Sequence, residues 1–322
     1  MLLHIGYIVV GLFGLYFGGE WLIKSAARLA TALGVPLLIV GLTVVALGTS
    51  APELVVSVSA ALQGFSDIAL GNVIGSNIAN LSLIIGLAGL VRPLQIRISL
   101  IKREIPVMIG ISLVMFVMAL DGQISQGEGL ALALGYIAFS YLLYKLPAAP
   151  EPNEALYESE VEAVEGAPPQ ISRARETLRL LAGLALLVGG AQAMVTGAVA
   201  IARDFGISEL VIGLTLVAAG TSLPEIATCV LAALRGHSDI AVGNAIGSNI
   251  VNILVILGVT ALVRPVPVDP ALLGFELPLM LFFAVLPIAF ILDLKLARWQ
   301  AGMLLLGYGL FVAATLERAA EW

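Results

Sequence analysis

Residues 41–93, GLTVVALGTSAPELVVSVSAALQGFSDIALGNVIGSNIANLSLIIGLAGLVRP, return at 213–265 as GLTLVAAGTSLPEIATCVLAALRGHSDIAVGNAIGSNIVNILVILGVTALVRP. The offset is a constant 172 without a gap, and 33 of the 53 positions are identical. Each copy places one acid in an apolar helix, Glu53 and Glu225. A charge inside a membrane helix is costly unless something compensates it, so such an acid marks a functional site. Two of them at matched positions of duplicated segments point to one shared cation site.

The surrounding chain is built for lipid. Of its 322 residues 60% are hydrophobic and 12% charged, and the mean hydropathy is +1.05. A soluble domain carries about 25% charged residues, so the composition is that of a polytopic membrane protein. The N-terminal MLLHIGYIVV has no basic region ahead of its apolar run, so it is expected to enter a span directly. Cys229 is the single cysteine; it excludes an internal disulfide and a thiolate metal cluster and is expected to pack as a small apolar residue.

Apolar stretches of spanning length fall at 5–23, 36–62, 68–90, 105–120, 129–146, 177–200, 207–234, 240–262, 272–292 and 299–316. The sequence therefore predicts an all-α membrane protein of ten transmembrane helices, arranged as a first five-helix repeat (1–146), an acidic linker (147–176) and a second five-helix repeat (177–322). The linker holds six Glu between 151 and 165 and five Pro, a composition that connects rather than packs. Lys and Arg decide orientation. With the N-terminus outside, the cytoplasmic segments hold 13 of the 16 basic residues and the outer ones keep Arg203, Arg264 and Arg318. Both termini are thus expected outside and the linker inside. An odd number of spans separates the two copies, so the second is inverted relative to the first. Inverted repeats are the architecture of many secondary transporters, with the substrate site near the midplane.

Around GTSAPE, residues 48–53, Ala46, Thr49 and Glu53 are expected to share one helix face. Pro52 obstructs the regular backbone bond and Gly48 loosens the same turn, so carbonyls are released beside Thr49, Ser50 and a carboxylate. The second copy repeats this with Ala218, Thr221, Ser222, Pro224 and Glu225. In GNVIGSNIAN, Asn72, Ser76 and Asn80 form a polar stripe at four-residue spacing, matched by Asn244, Ser248 and Asn252. All of these are hard oxygen donors. A flexible cage of them suits Ca2+, and no Cys or His accompanies them to favour zinc or copper. Two carboxylates neutralise one divalent ion or largely balance two or three Na+, and competition for that charge is a physical basis for exchange. Plainer readings exist for single residues: Ser and Thr hydroxyls bond their own helix carbonyls, and an Asn/Ser stripe also joins helices. Asp67 and Asp239 begin helices and are expected to cap them. His4 and His237 fall at span ends. Glu20 has Gln192 as its counterpart, which argues against an equal share in a two-fold site.

The paired GLTxVAxGTSxPE and GNxIGSNIxN segments are similar to the two alpha repeats of the sodium/calcium exchanger family, within the cation/calcium antiporter superfamily. The resemblance takes in the layout of the whole chain, and the short linker resembles that of prokaryotic members. It implies that Glu53 and Glu225 bind Ca2+ and share Na+, with Thr49, Ser50, Thr221 and Ser222 as hydroxyl or carbonyl ligands beside them. It further implies backbone carbonyls from Ala46 and Ala218, ligand serines at Ser76 and Ser248, and a last polar position at Asn80 and Asn252. Some relatives carry Asp where this chain has Asn252, and an acid there goes with potassium use. The family's first and sixth spans slide past a fixed core; here they hold Gly11, Gly14, Gly18 and Gly19, then Gly183, Gly189, Gly190 and Gly197.

The expectation is a secondary active antiporter, not an enzyme, that exchanges Na+ for Ca2+ across a prokaryotic cytoplasmic (inner) membrane. Its partners are those ions and the bilayer, without cofactor or nucleic acid. A proton/calcium exchanger is the alternative, because the same acids could cycle protons, and a passive cation channel is a further one. A hydrolase needs a nucleophile with a nearby base, and no His accompanies Ser50 or Ser222 in a span.

Overall fold

The computed structural model describes residues 2–145, 172–205, 218–290 and 294–320. Helix α1 is Leu2–Leu33. Next come α2 (Leu37–Thr49) and α3 (Ala51–Gln63), a pair bent by 45°. Helix α4 (Ser66–Ala79) continues through a π-helical turn, Asn80–Ile84, into Ile85–Val91. Helix α5 (Ile105–Ala119) and α6 (Gln126–Lys145) complete the first half. The second half holds α7 (Arg173–Asp204), α8 (Ala218–Thr221), α9 (Leu223–Leu234) and α10 (Ser238–Val251), which continues through Asn252–Leu257 into Gly258–Val263. It ends with α11 (Glu276–Phe290) and α12 (Arg298–Ala320). Among the described residues five helices are long and apolar enough to cross a membrane, or six if the bent pair is one span.

Helix therefore occupies each stretch where hydropathy expects it, apart from 207–217 and 291–292, which lie outside the described residues. Residue 146, the last of the expected fifth span, and most of the expected linker, 147–171, lie outside them too. Helix α7 already begins at Arg173, within the stretch read as linker. Helix α1 runs ten residues past its expected end, and in that extension Ser25 and Arg28 find a partner in Glu176 on α7, at 3.1 and 3.4 Å.

The architecture is all-helical apart from short extended pairings among the described residues. Four two-residue strands pair antiparallel: β1 (Leu94–Gln95) with β4 (Lys295–Leu296), and β2 (Gln123–Ile124) with β3 (Val266–Pro267). Chain that leaves a helix still carries backbone donors and acceptors that need partners. Both pairings join one half to the other. Adding 172 to Leu94 gives Val266, and adding it to Ile124 gives Leu296, so the repeat offset converts one pairing into the other.

At the centre lie α4 and α10. Within their spans 78% of the apolar window is buried, against 22% for α1, α6 and α7, which places the latter three at the periphery. The glycines of α1 and α7 face each other. A Cβ on Gly18 would lie 2.8 Å from the Gly183 carbonyl, and one on Gly11 2.7 Å from that of Gly190. The two helices thus touch backbone to backbone, a packing that only small residues permit. Gly11, Gly14, Gly18, Gly183 and Gly190 thus join α1 to α7. Gly19 alone of the α1 set turns to the core, against Leu231 of α9. Helix α1 packs along α9 over a continuous seam, whereas α7 and α3, the pair at the equivalent positions, hardly touch.

Candidate functional site

Both broken helices break at a serine. Ser50 (φ −82°, ψ 10°) and Ser222 (φ −87°, ψ 4°) occupy the bridge region of backbone space. Pro52 and Pro224 follow in the first turns of α3 and α9, where a missing N–H costs nothing. Glu53 and Glu225 share those first turns, where the positive end of the helix favours an anion. Neither serine caps its own helix; each reaches across the repeat. Ser50 Oγ donates to Glu225 Oε1 at 2.9 Å, and Ser222 Oγ to Glu53 Oε1 at 3.3 Å. Ser50 Oγ also lies 3.2 Å from Ser248 Oγ. Glu53, Glu225, Ser50, Ser222 and Ser248 are all buried.

Thr49 Oγ1 donates to the carbonyl of Ala46 at 3.3 Å and reaches Asn244 Oδ1 at 3.2 Å. The Ala46 carbonyl also accepts from the Ser50 backbone N–H. Ser76 is buried on α4, one turn before Asn80. Thr221 ends α8, and Ala218 is described as that helix's first residue.

Asn80 and Asn252 open the π-helical turns that follow α4 and α10. Asn80 Nδ2 donates to Asn249 Oδ1 at 2.9 Å, and Asn252 Nδ2 to Asn77 Oδ1 at 3.0 Å. The bonds exchange under the repeat offset. With each Nδ2 held by the opposite half, the other end of each amide is turned away from it. Asn77 and Asn249 are the site residues that the stripe reading missed. They stand one position beyond Ser76 and Ser248, off the four-residue spacing. Their presence in both copies of GSNI was the available signal.

Four buried oxygens in this region have no hydrogen-bond partner: Glu53 Oε2, Glu225 Oε2, Asn80 Oδ1 and Asn252 Oδ1. They form two pairs related by the offset. A buried acceptor without a donor is destabilising, and four carried by the duplicated motifs suit a positive ligand. Among the described residues no three His, Cys, Asp or Glu side chains form a metal-binding group. Two carboxylates completed by neutral amide and hydroxyl oxygens make a hard-cation environment.

Other expectations resolve differently. Asp239 stands in the first turn of α10 while His237 holds the cap position without a side-chain cap bond. The Asp239 carboxylate pairs instead with Arg97 of the first half at 2.7 Å. The side chain of Asp67 lies outside the described residues. His4 lies 3.3 Å from Asp204. His237 is buried; burial, with Arg235 and Arg92 nearby, pushes its imidazole down to about 4. Cys229 is more than apolar filler: it accepts from Asn244 Nδ2 at 3.3 Å and donates to the Ala241 carbonyl at 3.2 Å. Glu20 is held by Arg235 at 2.7 and 3.0 Å and by Lys24 at 2.7 Å, away from the central oxygens.

The sequence matches the sodium/calcium exchanger protein family over residues 3–145 and 176–316. It is 34% identical to the sodium/calcium exchanger MaX1 of Methanosarcina acetivorans, over 95% of this chain and 96% of that one. It is 37% identical to the inner membrane protein YrbG of Escherichia coli, over 89% and 88%. A solved structure of the sodium–calcium exchanger NCX_Mj, soaked with Na+ and Ca2+, superposes with a TM-score of 0.84 at 32% identity, covering 97% of this chain and 98% of that one.

Proposed function

The chain belongs to the sodium/calcium exchanger family, and from that premise we propose that it exchanges Na+ for Ca2+ through the Glu53/Glu225 site. The observation that carries this reading is the set of four unpaired buried oxygens on Glu53, Glu225, Asn80 and Asn252. We take the ligand shell to be completed by Thr49, Ser50, Ser76, Ala46 and their counterparts Thr221, Ser222, Ser248 and Ala218. Asn77 and Asn249 position the amide oxygens.

The same proposal makes the chain ten spans in two inverted halves, with both termini outside the inner membrane and the linker in the cytoplasm. Support comes from the basic residues, 13 of 16 on the linker side. The Ser–Glu, Asn–Asn and strand pairings, each exchanged by the offset, support a two-fold relation between the halves.

Coupling follows from charge. Two carboxylates without cations are expensive in low dielectric. One Ca2+ neutralises them, and so do two Na+, with room for a further Na+ among the neutral oxygens. Only loaded sites change exposure, so Na+ moving down its gradient drives Ca2+ the other way. The site holds one compensated charge pair at a time, which makes the two ions competitors.

The test is Ca2+ flux in reconstituted vesicles under an imposed Na+ gradient and, separately, a pH gradient. Na+-driven uptake is expected, and Glu53→Gln or Glu225→Gln abolishes it. Wild-type flux in either variant sinks the site assignment. Flux driven by the pH gradient alone transfers the coupling role from Na+ to protons.

A further inference from the structure

The repeat offset maps Glu20 onto Gln192 and Arg235 onto Gln63. Both members of one ion pair are thus replaced by uncharged residues in the other half. In the structure Arg235, at the end of α9, grips Glu20 of α1 through Nε at 3.0 Å and Nη2 at 2.7 Å. This is the two-pronged geometry in which an Arg–carboxylate pair is strongest. Lys24, one turn along α1, holds the same carboxylate at 2.7 Å. The pair lies on the seam where α1 packs along α9, at the end of the bundle where α1 finishes and α7 begins. The opposite seam is parted: α7 and α3 hardly touch, and both Gln63 and Gln192 are exposed.

We propose that the Glu20–Arg235 ion pair is a one-sided latch, which favours the state closed at the α1/α9 seam over the state closed at the α7/α3 seam. This rests on the alternating-access reading above. In a transporter of two related halves, the second state is reached when each half adopts the other's arrangement. Contacts of equivalent residues then exchange. Ser50–Glu225 exchanges with Ser222–Glu53 at no net change, because both exist. Glu20–Arg235 exchanges with Gln192–Gln63, so closing the other seam loses a bidentate ion pair and gains no ion pair in return. Lys24 travels with Glu20 on the same helix and does not distinguish the states. The backbone contact between α1 and α7 carries the effect: the helices are joined through Gly11, Gly18, Gly183 and Gly190, so holding α1 against α9 also holds α7 away from α3.

The test reads the conformational equilibrium without transport. Spin labels go on Leu62→Cys of α3 and Thr196→Cys of α7, in the full chain in lipid nanodiscs with saturating Na+ on both sides, so that the loaded site is free to change exposure. Both positions are exposed, and native Cys229 is too buried to label. The wild-type background should give the long distance of a parted seam. Glu20→Gln and Arg235→Gln should each raise the short-distance population by roughly threefold, the effect of losing a partly exposed ion pair. Glu20→Arg combined with Arg235→Glu should restore the long distance. Installing the mirror pair, Gln192→Glu with Gln63→Arg, in the native background should also raise the short-distance population. An unchanged distribution in both neutralised variants overturns the latch, and so does failure of the charge-reversed pair to recover. Loss of Ca2+ flux in Glu53→Gln with an intact latch response leaves this inference standing, so it and the site assignment fail separately.

Discussion

The Sγ of Cys229 accepts from Asn244 and donates to the Ala241 carbonyl. In the first half Ser57 makes the same two bonds, accepting from Asn72 at 2.9 Å and donating to the Ala69 carbonyl at 3.4 Å. Asn72 and Asn244 in turn steady the ligand helices: Asn72 also donates to the Glu53 carbonyl at 3.2 Å. Cys229→Ser is therefore expected to keep Ca2+ flux within about twofold. Cys229→Val strands the Asn244 amide and lowers stability by about 1–3 kcal/mol, measurable as a drop in thermal midpoint. Asn77→Leu and Asn249→Leu remove the acceptors that orient Asn252 and Asn80. The half-saturating Ca2+ concentration should rise roughly tenfold, the equivalent of about 1.4 kcal/mol, with the fold retained by circular dichroism. At this scale Glu53 and Glu225 are legible in the sequence because the duplication repeats an acid inside an apolar segment, and the four-residue stripes because helix periodicity puts them on one face. Asn77 and Asn249 are not, because what matters about them is a bond to the other half, and no spacing within one helix encodes that.

Helices fall where the hydropathy expects them, and Pro52 announces its bend. The π-helical turns and the two-residue strands are invisible in composition, because each depends on what the neighbouring element offers its backbone. The glycines of α1 show the same limit. Their spacing tells that something packs closely, but α7 as the partner emerges only in three dimensions. Gly190 sits where a Cβ would meet the Leu15 nitrogen at 2.8 Å and the Gly11 carbonyl at 2.9 Å. Gly190→Val must push two backbones apart and should cost about 3 kcal/mol. Gly6→Ala, with nothing within 4 Å of the new methyl, should be neutral or slightly stabilising. Thermal unfolding of the two variants side by side reads the difference.

For the molecule as a whole, one acid-sensitive element is His237, buried in the turn between α9 and α10. Its folded value of about 4 lies below the ordinary 6.5, so the native state binds fewer protons than the unfolded one. Stability is full above pH 6.5 and falls as the pH drops towards 4, by roughly 3 kcal/mol across that window. His237→Phe, which copies Phe65 of the first half, should flatten the pH dependence of the thermal midpoint between 6.5 and 4. The duplication and its constant offset make two related halves and one shared acid pair legible in the sequence, whereas the hydrogen bonds that tie the halves together are not. Each strand finds its partner in the opposite half, as do the Ser50, Ser222, Asn80 and Asn252 side chains. During synthesis, then, the first half enters the membrane with hydrogen-bonding groups waiting for residues not yet translated. A ribosome that stalls after α6 leaves a polar, unmated surface in lipid, which membrane quality-control proteases and chaperones are built to detect. Two fragments divided within 146–171 would have to be made together, because each is the other's missing template.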